Sequence, residues 1–374
     1  MKPAQIQNTW AMTCVARPTL ALRSANGCKA MPGGFTLVEM MVALTIGLLL
    51  LVGLADMFFN ISNARGELDK ASRQIESARY AMQILADEVR HAGYYSELIN
   101  APTLPGSVTS LPDPCSTTLA DVQDSLGLPL QGYAGQATAA ALDTGKLGCL
   151  DARAGYKAFT AVLVVRRADT TIAAAAPTAG WFNIQPSGCP GDPVPYVLDL
   201  DTNVAAFNLH ANTAPGCLPI TSAPAAKITP LYTRIYFVST CSGTDCSASG
   251  ADSVPTLKRI DITTTGSLIT PVVDGIENLQ FDYGIDTSAP SDGTPEVYTN
   301  GAGHAATTPS SLVEWQNVMT LRIYLLARNV DSTASYPDSK TYALGPVSVT
   351  PGGAFRRHAY NELVRLNNPA GRRE

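Results

Sequence analysis

The sequence predicts an α+β protein in which a long amino-terminal helix packs on a mainly antiparallel β-sheet with large loop insertions. Apolar or small residues recur every three or four positions from Ile61 to Val89, the spacing of a helical heptad-type stripe. Ten candidate strands follow, several of them alternating apolar and polar residues with period two. A helix first and strands afterwards is the element order of an α+β fold, and 374 residues provide a sizeable core.

The helix begins in an apolar segment, residues 35–55, which contains 21 residues and a single charge, Glu39. At about 1.5 Å per helical residue it spans roughly 32 Å, which matches the hydrocarbon core of a bilayer. We therefore predict a membrane-spanning helix over residues 35–56. The positive-inside rule places residues 1–34 in the cytoplasm and the later residues outside it, because the leader contains only basic charges, namely Lys2, Arg17, Arg23 and Lys29.

Two features separate this segment from an ordinary secretory signal. A secretory cleavage site follows the apolar stretch, whereas here the small residues Gly33 and Gly34 precede it. Glu39 is the second feature, because a carboxylate inside a spanning helix is costly and marks a functional position. A plain signal anchor with a chance acidic residue is the alternative.

The run Gly34-Phe35-Thr36-Leu37-Val38-Glu39 resembles the class III signal of type IV pilins and pseudopilins. The resemblance implies that a prepilin peptidase cleaves between Gly34 and Phe35 and methylates the new amino terminus of Phe35. It also implies that Glu39 pairs with the cationic amino terminus of a neighbouring subunit and sets the register of a filament. The leader of 34 residues is long for this signal, and Met12 or Met31 is an alternative start.

Beyond the anchor, we predict that the helix continues as an amphipathic second half over residues 57–92 and stops at Gly93. Its stripe comprises Ile61, Ala64, Leu68, Ala71, Ile75, Ala78, Met82, Leu85 and Val89. We expect the stripe to pack on the sheet, and a free coiled coil is the alternative. Residues 78–95 also resemble the corresponding region of minor pilins of the PilW type.

Residues 93–374 are expected to form the β-rich domain. Residues 96–160 are rich in Pro, Gly, Ser and Thr and predict loops with short elements. The predicted strands are residues 161–166, 196–200, 204–209, 231–239, 256–262, 267–273, 276–283, 318–326, 342–349 and 359–366. Residues 273–286, 315–328 and 355–367 resemble the carboxy-terminal half of PilW proteins in order and spacing. Residues 96–225 resemble no family and are a candidate variable subdomain.

Six of the eight cysteines follow the leader and are expected to form disulfides in an extracytoplasmic domain. Cys241 and Cys246 follow a predicted strand closely enough to join the tip of a hairpin. For the others, the sequential arrangement pairs Cys115 with Cys149 and Cys189 with Cys217, among several possible connectivities. A zinc site is the alternative, although the chain has neither a Cys-x-x-Cys motif nor a nearby histidine pair.

The sequence contains no common catalytic motif, such as a nucleophile elbow, a zinc-protease helix or a phosphate loop. We therefore predict that the protein is not an enzyme and that it has no cofactor and no metal site. Asp199, Asp201 and Asn203 resemble the start of a calcium loop, but Val204 and His210 stand where glycine and glutamate are needed. Arg356, Arg357 and Arg365 form a basic cluster that we interpret as a solvated sheet face or a subunit contact.

The resemblance implies a minor pilin of the PilW type, a structural subunit that primes assembly of a type IV pilus and sits at its tip. The implied partners are other minor pilins, the major pilin, prepilin peptidase, the inner-membrane assembly machinery and a PilY-type tip adhesin. The implied location is the inner membrane, with the body in the periplasm, and later the extracellular pilus. Subtracting the leader's four positive charges from the net −5 leaves −9 on residues 35–374, which argues against nucleic acid as a partner.

Two alternatives remain from the sequence. The first is a minor pseudopilin of the J type in a type II secretion system, which shares the signal and the fold. The second is a signal-anchored periplasmic binding protein or enzyme that uses residues 96–225.

Overall fold

The computed structural model describes residues 35–98, 100, 102–142, 146–171, 173–212, 217, 223–300 and 307–373. The chain divides into two units, Met1–Ile61 and Ser62–Glu374. Helix α1, Leu37–His91, contributes to both. Its bounds lie within two residues of the predicted helix, and Gly93, with φ of 72°, provides the left-handed residue expected just after the helix end.

In the first unit, α1 exposes an apolar surface along its whole length. Leu37, Leu49 and Phe58 are each at least 70% exposed. By length and composition, the helix is long and apolar enough to cross a membrane. Since water solvates such a surface poorly, it needs lipid or other apolar helices around it.

The second unit contains every described strand. In chain order the strands are β1 (Leu130–Tyr133), β2 (Val162–Ala168), β3 (Phe182–Pro186), β4 (Tyr196–Leu200), β5 (Thr229–Ser239), β6 (Thr256–Thr263), β7 (Gly266–Asp274), β8 (Ile276–Ile285), β9 (Val297–Tyr298), β10 (Val318–Arg328), β11 (Tyr342–Leu344), β12 (Val347–Val349) and β13 (Arg357–Arg365). The short helices are α2 (Leu119–Ser125), α3 (Leu312–Gln316) and α4 (Asn367–Gly371).

These strands form two main sheets with antiparallel pairing throughout. In the seven-stranded sheet, β5 pairs with β2, β3 and β6, while β1, β4 and β7 lie further out. The four-stranded sheet has the order β13-β10-β8-β9, and β11 and β12 form a separate hairpin. One core cluster draws side chains from α1 and from both sheets. The predicted α+β fold, with a helix on an antiparallel sheet, is therefore confirmed.

Packing of α1 in the second unit follows only part of the predicted stripe. Ala78, Met82, Leu85 and Val89 are buried in the core cluster. Leu68 is 71% exposed and Ile75 is 41% exposed, so the prediction that they pack on the sheet is wrong. A seven-residue repeat drifts by roughly 20° per heptad on a straight α-helix, and the earlier members consequently rotate away from the sheet.

Most strand predictions match the structure to within two or three residues, and two are wrong. Residues 204–209 form a short 3₁₀ turn over Val204–Ala206 rather than a strand. Residues 342–349 form the β11–β12 hairpin, because Gly345, with φ of 63°, reverses the chain direction. The short strands β1, β3 and β9 were not predicted. β1 and β3 pair within the seven-stranded sheet, so residues 96–225 contribute strands to the same sheet as β5.

Candidate assembly site

The start of α1 carries the predicted assembly residues, and it is closed by a capping box. Thr36 donates its backbone N–H and its hydroxyl to Glu39 Oε2, both at 2.9 Å. In return, the Glu39 N–H donates to Thr36 Oγ1 at 3.2 Å. Phe35 is 85% exposed, and Gly34 lies outside the described residues. The sequence signal for this cap is the Thr-x-x-Glu spacing of Thr36 and Glu39, which lies inside the methylation-type motif and was not predicted as a cap.

Glu39 can therefore act in two ways. Its Oε2 atom accepts both bonds from Thr36, whereas Oε1 has no hydrogen-bond partner among the described residues. A cap needs only an acceptor at this position, which glutamine also provides. An ion pair with an amino terminus needs the negative charge. The helix cap therefore depends on a side-chain oxygen at position 39, whereas the ion pair depends on the negative charge of Glu39.

Further along α1, three polar side chains attach the helix to the strands and loops of the second unit. Glu67, Gln74 and Glu88 lie on one line at multiples of seven residues, beside the apolar stripe. Gln74 Nε2 donates to the carbonyl of Ala327 at 2.7 Å, and Glu67 accepts from Thr333 Oγ1 at 2.8 Å. The sequence-based predictions gave these three residues no role, because their partners lie more than 75 residues away along the chain.

Glu88 is the most buried of the three anchors, with 8% exposure. Its carboxylate accepts from Arg167 Nε at 3.1 Å and from Arg167 Nη2 at 2.8 Å, and Arg234 Nη1 donates to the same group. Arg234 also pairs with Asp261 at 3.0 Å. Burial by itself would raise the pKa of Glu88, but the two guanidinium groups outweigh it and hold the pKa below its usual range.

The structure joins the six cysteines of the body in the sequential order considered above. Each disulfide closes a different length of chain, and the sequence separations are 34, 28 and 5 residues for Cys115–Cys149, Cys189–Cys217 and Cys241–Cys246 respectively. The two longer bridges restrict the unfolded chain most in the loop-entropy account of disulfide stabilisation.

The residues of the calcium-like loop do not converge on a common point. Asp199 Oδ2 accepts from Asn203, and Asp201 Oδ2 accepts from the N–H of Gly180, both at 2.9 Å. His210 instead pairs with Asp192 at 2.7 Å. The carboxylates of Asp199 and Asp201 therefore accept hydrogen bonds from separate N–H groups of neighbouring segments.

The predicted basic cluster is split in the structure. Arg357 is buried, where it bridges Glu277 and Asp338, with 2.7 Å between its Nη1 and Asp338 Oδ2. Arg356 pairs with Glu67 of α1 at 3.3 Å. The interpretation of Arg357 as a solvated or subunit-contact residue is therefore wrong, because the segment that contains Asp338 covers the start of β13.

Comparison with known proteins gives two family matches. The family described as Type IV Pilus-assembly protein W, PilW, matches residues 235–368. The prokaryotic N-terminal methylation motif matches residues 31–55. One solved structure, the type IV-like pilin TTHA1219 from Thermus thermophilus, aligns with 12% identity and a TM-score of 0.31, over 80% of this chain and 98% of its own. No curated protein matches the sequence.

The methylation motif, the apolar first half of α1 and the antiparallel sheet domain define a type IV pilin-like protein, a structural class that fits a membrane-anchored pilus subunit. Its carboxy-terminal region, from β5 to the start of α4, carries the PilW-family domain. The resemblance to PilW-type pilins seen in the sequence is confirmed.

Proposed function

We propose that this chain is a minor pilin that primes assembly of a type IV pilus and occupies the pilus tip. The observation that carries the proposal is the methylation motif at residues 31–55, which continues into an apolar helix with Glu39 as its single charged residue up to Ala55. The PilW domain supports a pilus rather than a secretion system. Prepilin peptidase would cleave after Gly34 and methylate Phe35.

The exposed apolar surface of the first unit supports two successive environments for this part of α1, first the membrane and then the filament. Before assembly, lipid would cover this surface and hold the body outside the cytoplasm. During assembly, helices of other minor pilins and of the major pilin would replace the lipid. The inner-membrane assembly machinery would carry out this transfer, and Glu39 would align each entering helix through the amino terminus of its neighbour.

The body supports a position at the end of the filament. The body comprises two sheets and long connections between β1 and β5, and the last subunit of a filament keeps one face that no further subunit covers. A tip position would leave this face free for a larger adhesin of the PilY type. The net charge of −9 on residues 35–374 favours a protein partner over nucleic acid.

Processing is the first test of the proposal. Mass spectrometry of the amino-terminal peptide is expected to show methylated Phe35 in cells that contain prepilin peptidase. In cells without the peptidase, the same measurement should show residues 1–34 still attached. Cleavage at another position, or an uncut chain in both strains, would contradict the pilin mechanism and favour a plain signal anchor.

Deletion of the gene tests the pilus against the secretion system. We expect the deletion strain to lose surface pili and twitching motility, and to regain both when the wild-type gene is supplied. Normal piliation, together with exoproteins retained in the periplasm, would instead identify a J-type pseudopilin.

A further inference from the structure

The amine of Lys258, on β6, is buried against the Cys241–Cys246 disulfide. The residue has 0% exposure, and its Nζ lies 3.2 Å from Cys246 Sγ and 3.5 Å from Cys241 Sγ. The carbonyl oxygen of Ala154, at 3.5 Å, is its third contact. Lys258 makes no ion pair with a carboxylate within 4.0 Å in the part of the chain that the structure describes.

Such a lysine is unusual, because buried lysines are nearly always paired with an acid. Burial lowers the pKa of Lys258, and the acids that partly oppose this effect, Asp252 and Asp245, lie in the exposed segment that follows Cys241. An anion beside Nζ would supply the missing partner. The atoms already beside Nζ are sulfurs, and they become anionic when the disulfide opens.

We propose that Cys241–Cys246 is a redox-active disulfide that exchanges with dithiol reductants, and that Lys258 stabilises the thiolate released when the bridge opens. A cation next to a cysteine lowers the pKa of the thiol, and a thiol of lower pKa is the better leaving group. Ser239 Oγ lies 3.1 Å from Cys246 Sγ, and in the closed state its hydroxyl donates to the carbonyl of Ala154 at 2.8 Å.

Access to the bridge favours attack on one sulfur. Cys241 is 1% exposed, whereas Cys246 is half-buried and is flanked by exposed residues on both sides. A reductant thiolate would therefore attack Cys246 Sγ and form a mixed disulfide there. The Cys241–Cys246 bond breaks, and its electron pair goes to Cys241 Sγ beside Lys258.

The second thiolate of the reductant completes the exchange. It attacks the reductant's own sulfur in the mixed disulfide and releases Cys246 Sγ as a thiolate, so that the dithiol is oxidised to a disulfide by two electrons. Of the two protons that the dithiol loses, one protonates a cysteine and the other goes to solvent. The remaining thiolate pairs with the Lys258 ammonium group.

The location of the bridge is compatible with reversible opening. Its cysteines are only 5 residues apart in sequence, in the connection between β5 and β6, so it restricts the unfolded chain least of the three bridges. No lysine or arginine nitrogen lies within hydrogen-bond distance of either of the other disulfides among the described residues. Those two bridges are therefore internal references for any measurement of reducibility.

The test uses the full-length chain in detergent micelles, equilibrated with graded ratios of reduced to oxidised dithiothreitol. Free thiols are trapped by alkylation and quantified for each cysteine by mass spectrometry. In the wild-type chain, Cys241–Cys246 is expected to open at a ratio about tenfold or more below that of the other two bridges. One pKa unit of thiolate stabilisation corresponds to a factor of about ten.

Three variants decide the role of the lysine. Lys258→Met should raise the ratio needed to open Cys241–Cys246 by about tenfold, while Lys258→Arg, which keeps the charge, should stay near the wild type. Lys157→Met is the matched control, because Lys157 contacts neither sulfur of this bridge. Unchanged opening in Lys258→Met with the other two bridges intact would overturn the proposal.

If Lys258→Met does not fold, all three bridges become equally reducible, and the wild-type comparison decides. Equal opening of the three bridges in the wild-type chain would also overturn the proposal. Neither result bears on leader processing, so the test is independent of the proposed pilin function.

Discussion

A Glu39→Gln chain is expected to lose its leader normally but to enter pili about a hundredfold less often than the wild-type chain. Glutamine preserves the capping box with Thr36, because its side-chain oxygen can accept the same bonds. It removes the negative charge that would pair with the amino terminus of the neighbouring subunit. Breaking a buried ion pair costs about 3 to 5 kcal/mol, which is roughly two to four orders of magnitude in an equilibrium, and the expected loss lies at the lower end of that range.

The measurement compares sheared pili with membranes by quantitative immunoblotting, and mass spectrometry of the same samples checks processing. Thr36→Ala is the matched control, because it removes the cap hydroxyl and keeps the Glu39 charge. Loss of a helix cap costs about 1 kcal/mol, so this variant should enter pili within several-fold of the wild type. Wild-type incorporation of Glu39→Gln would exclude the ion pair and leave capping as the role of Glu39.

Glu88→Ala is expected to lower the free energy of unfolding of the body by about 3 to 5 kcal/mol. The substitution leaves Arg167, which is 11% exposed, without its carboxylate partner, whereas Arg234, which is 13% exposed, keeps only its pair with Asp261. Removing one partner of a buried ion pair is strongly destabilising because the remaining charge is uncompensated. Urea unfolding of the processed chain, followed by fluorescence, measures the effect. Trp181 and Trp315 both lie in the body and report its unfolding.

Asp69→Ala is the matched control, since it removes the same charge from the same helix. The Asp69–Arg73 pair is exposed, at 59% and 75%, and exposed pairs contribute less than about 1 kcal/mol. If the two variants are equally stable, Glu88 does not anchor α1 to the sheet in the way its contacts indicate.

The pH dependence of Glu88 gives an additional check on the same contacts. Its folded-state pKa lies below the ordinary value of 4.5, so its stabilisation is complete above about pH 4.5 and is lost as the pH falls through the folded pKa. The stability difference between the wild type and Glu88→Ala should therefore shrink in acid. A difference that stays constant from pH 7 to pH 3 would contradict this linkage.

Local patterns account for what was predicted correctly in the fold. An apolar run of 21 residues determines a helix that needs apolar surroundings, whatever the rest of the chain does. Period-two alternation in β5 and β10 likewise marks strands, but the prediction of one covered face is wrong for β5, because Tyr236 and Val238 lie in one core cluster and Ile235 and Phe237 in another. The strand predictions fail where pairing with another strand determines whether a segment becomes a strand. Residues 204–209 pair with no neighbouring strand among the described residues, and β3 is recognisable only because β4 and β5 pair with it.

The sequence by itself determined the apolar anchor, the cleavage and methylation motif, the position of Glu39 and the α+β order of elements. Each of these depends on residues that are adjacent or regularly spaced along the chain. Only the tertiary structure decided that Glu88 and Arg357 are buried, that Leu68 and Ile75 are exposed, and that Lys258 faces a disulfide. The physical reason is that burial and pairing depend on which distant strands converge, and no local pattern along the chain encodes that convergence.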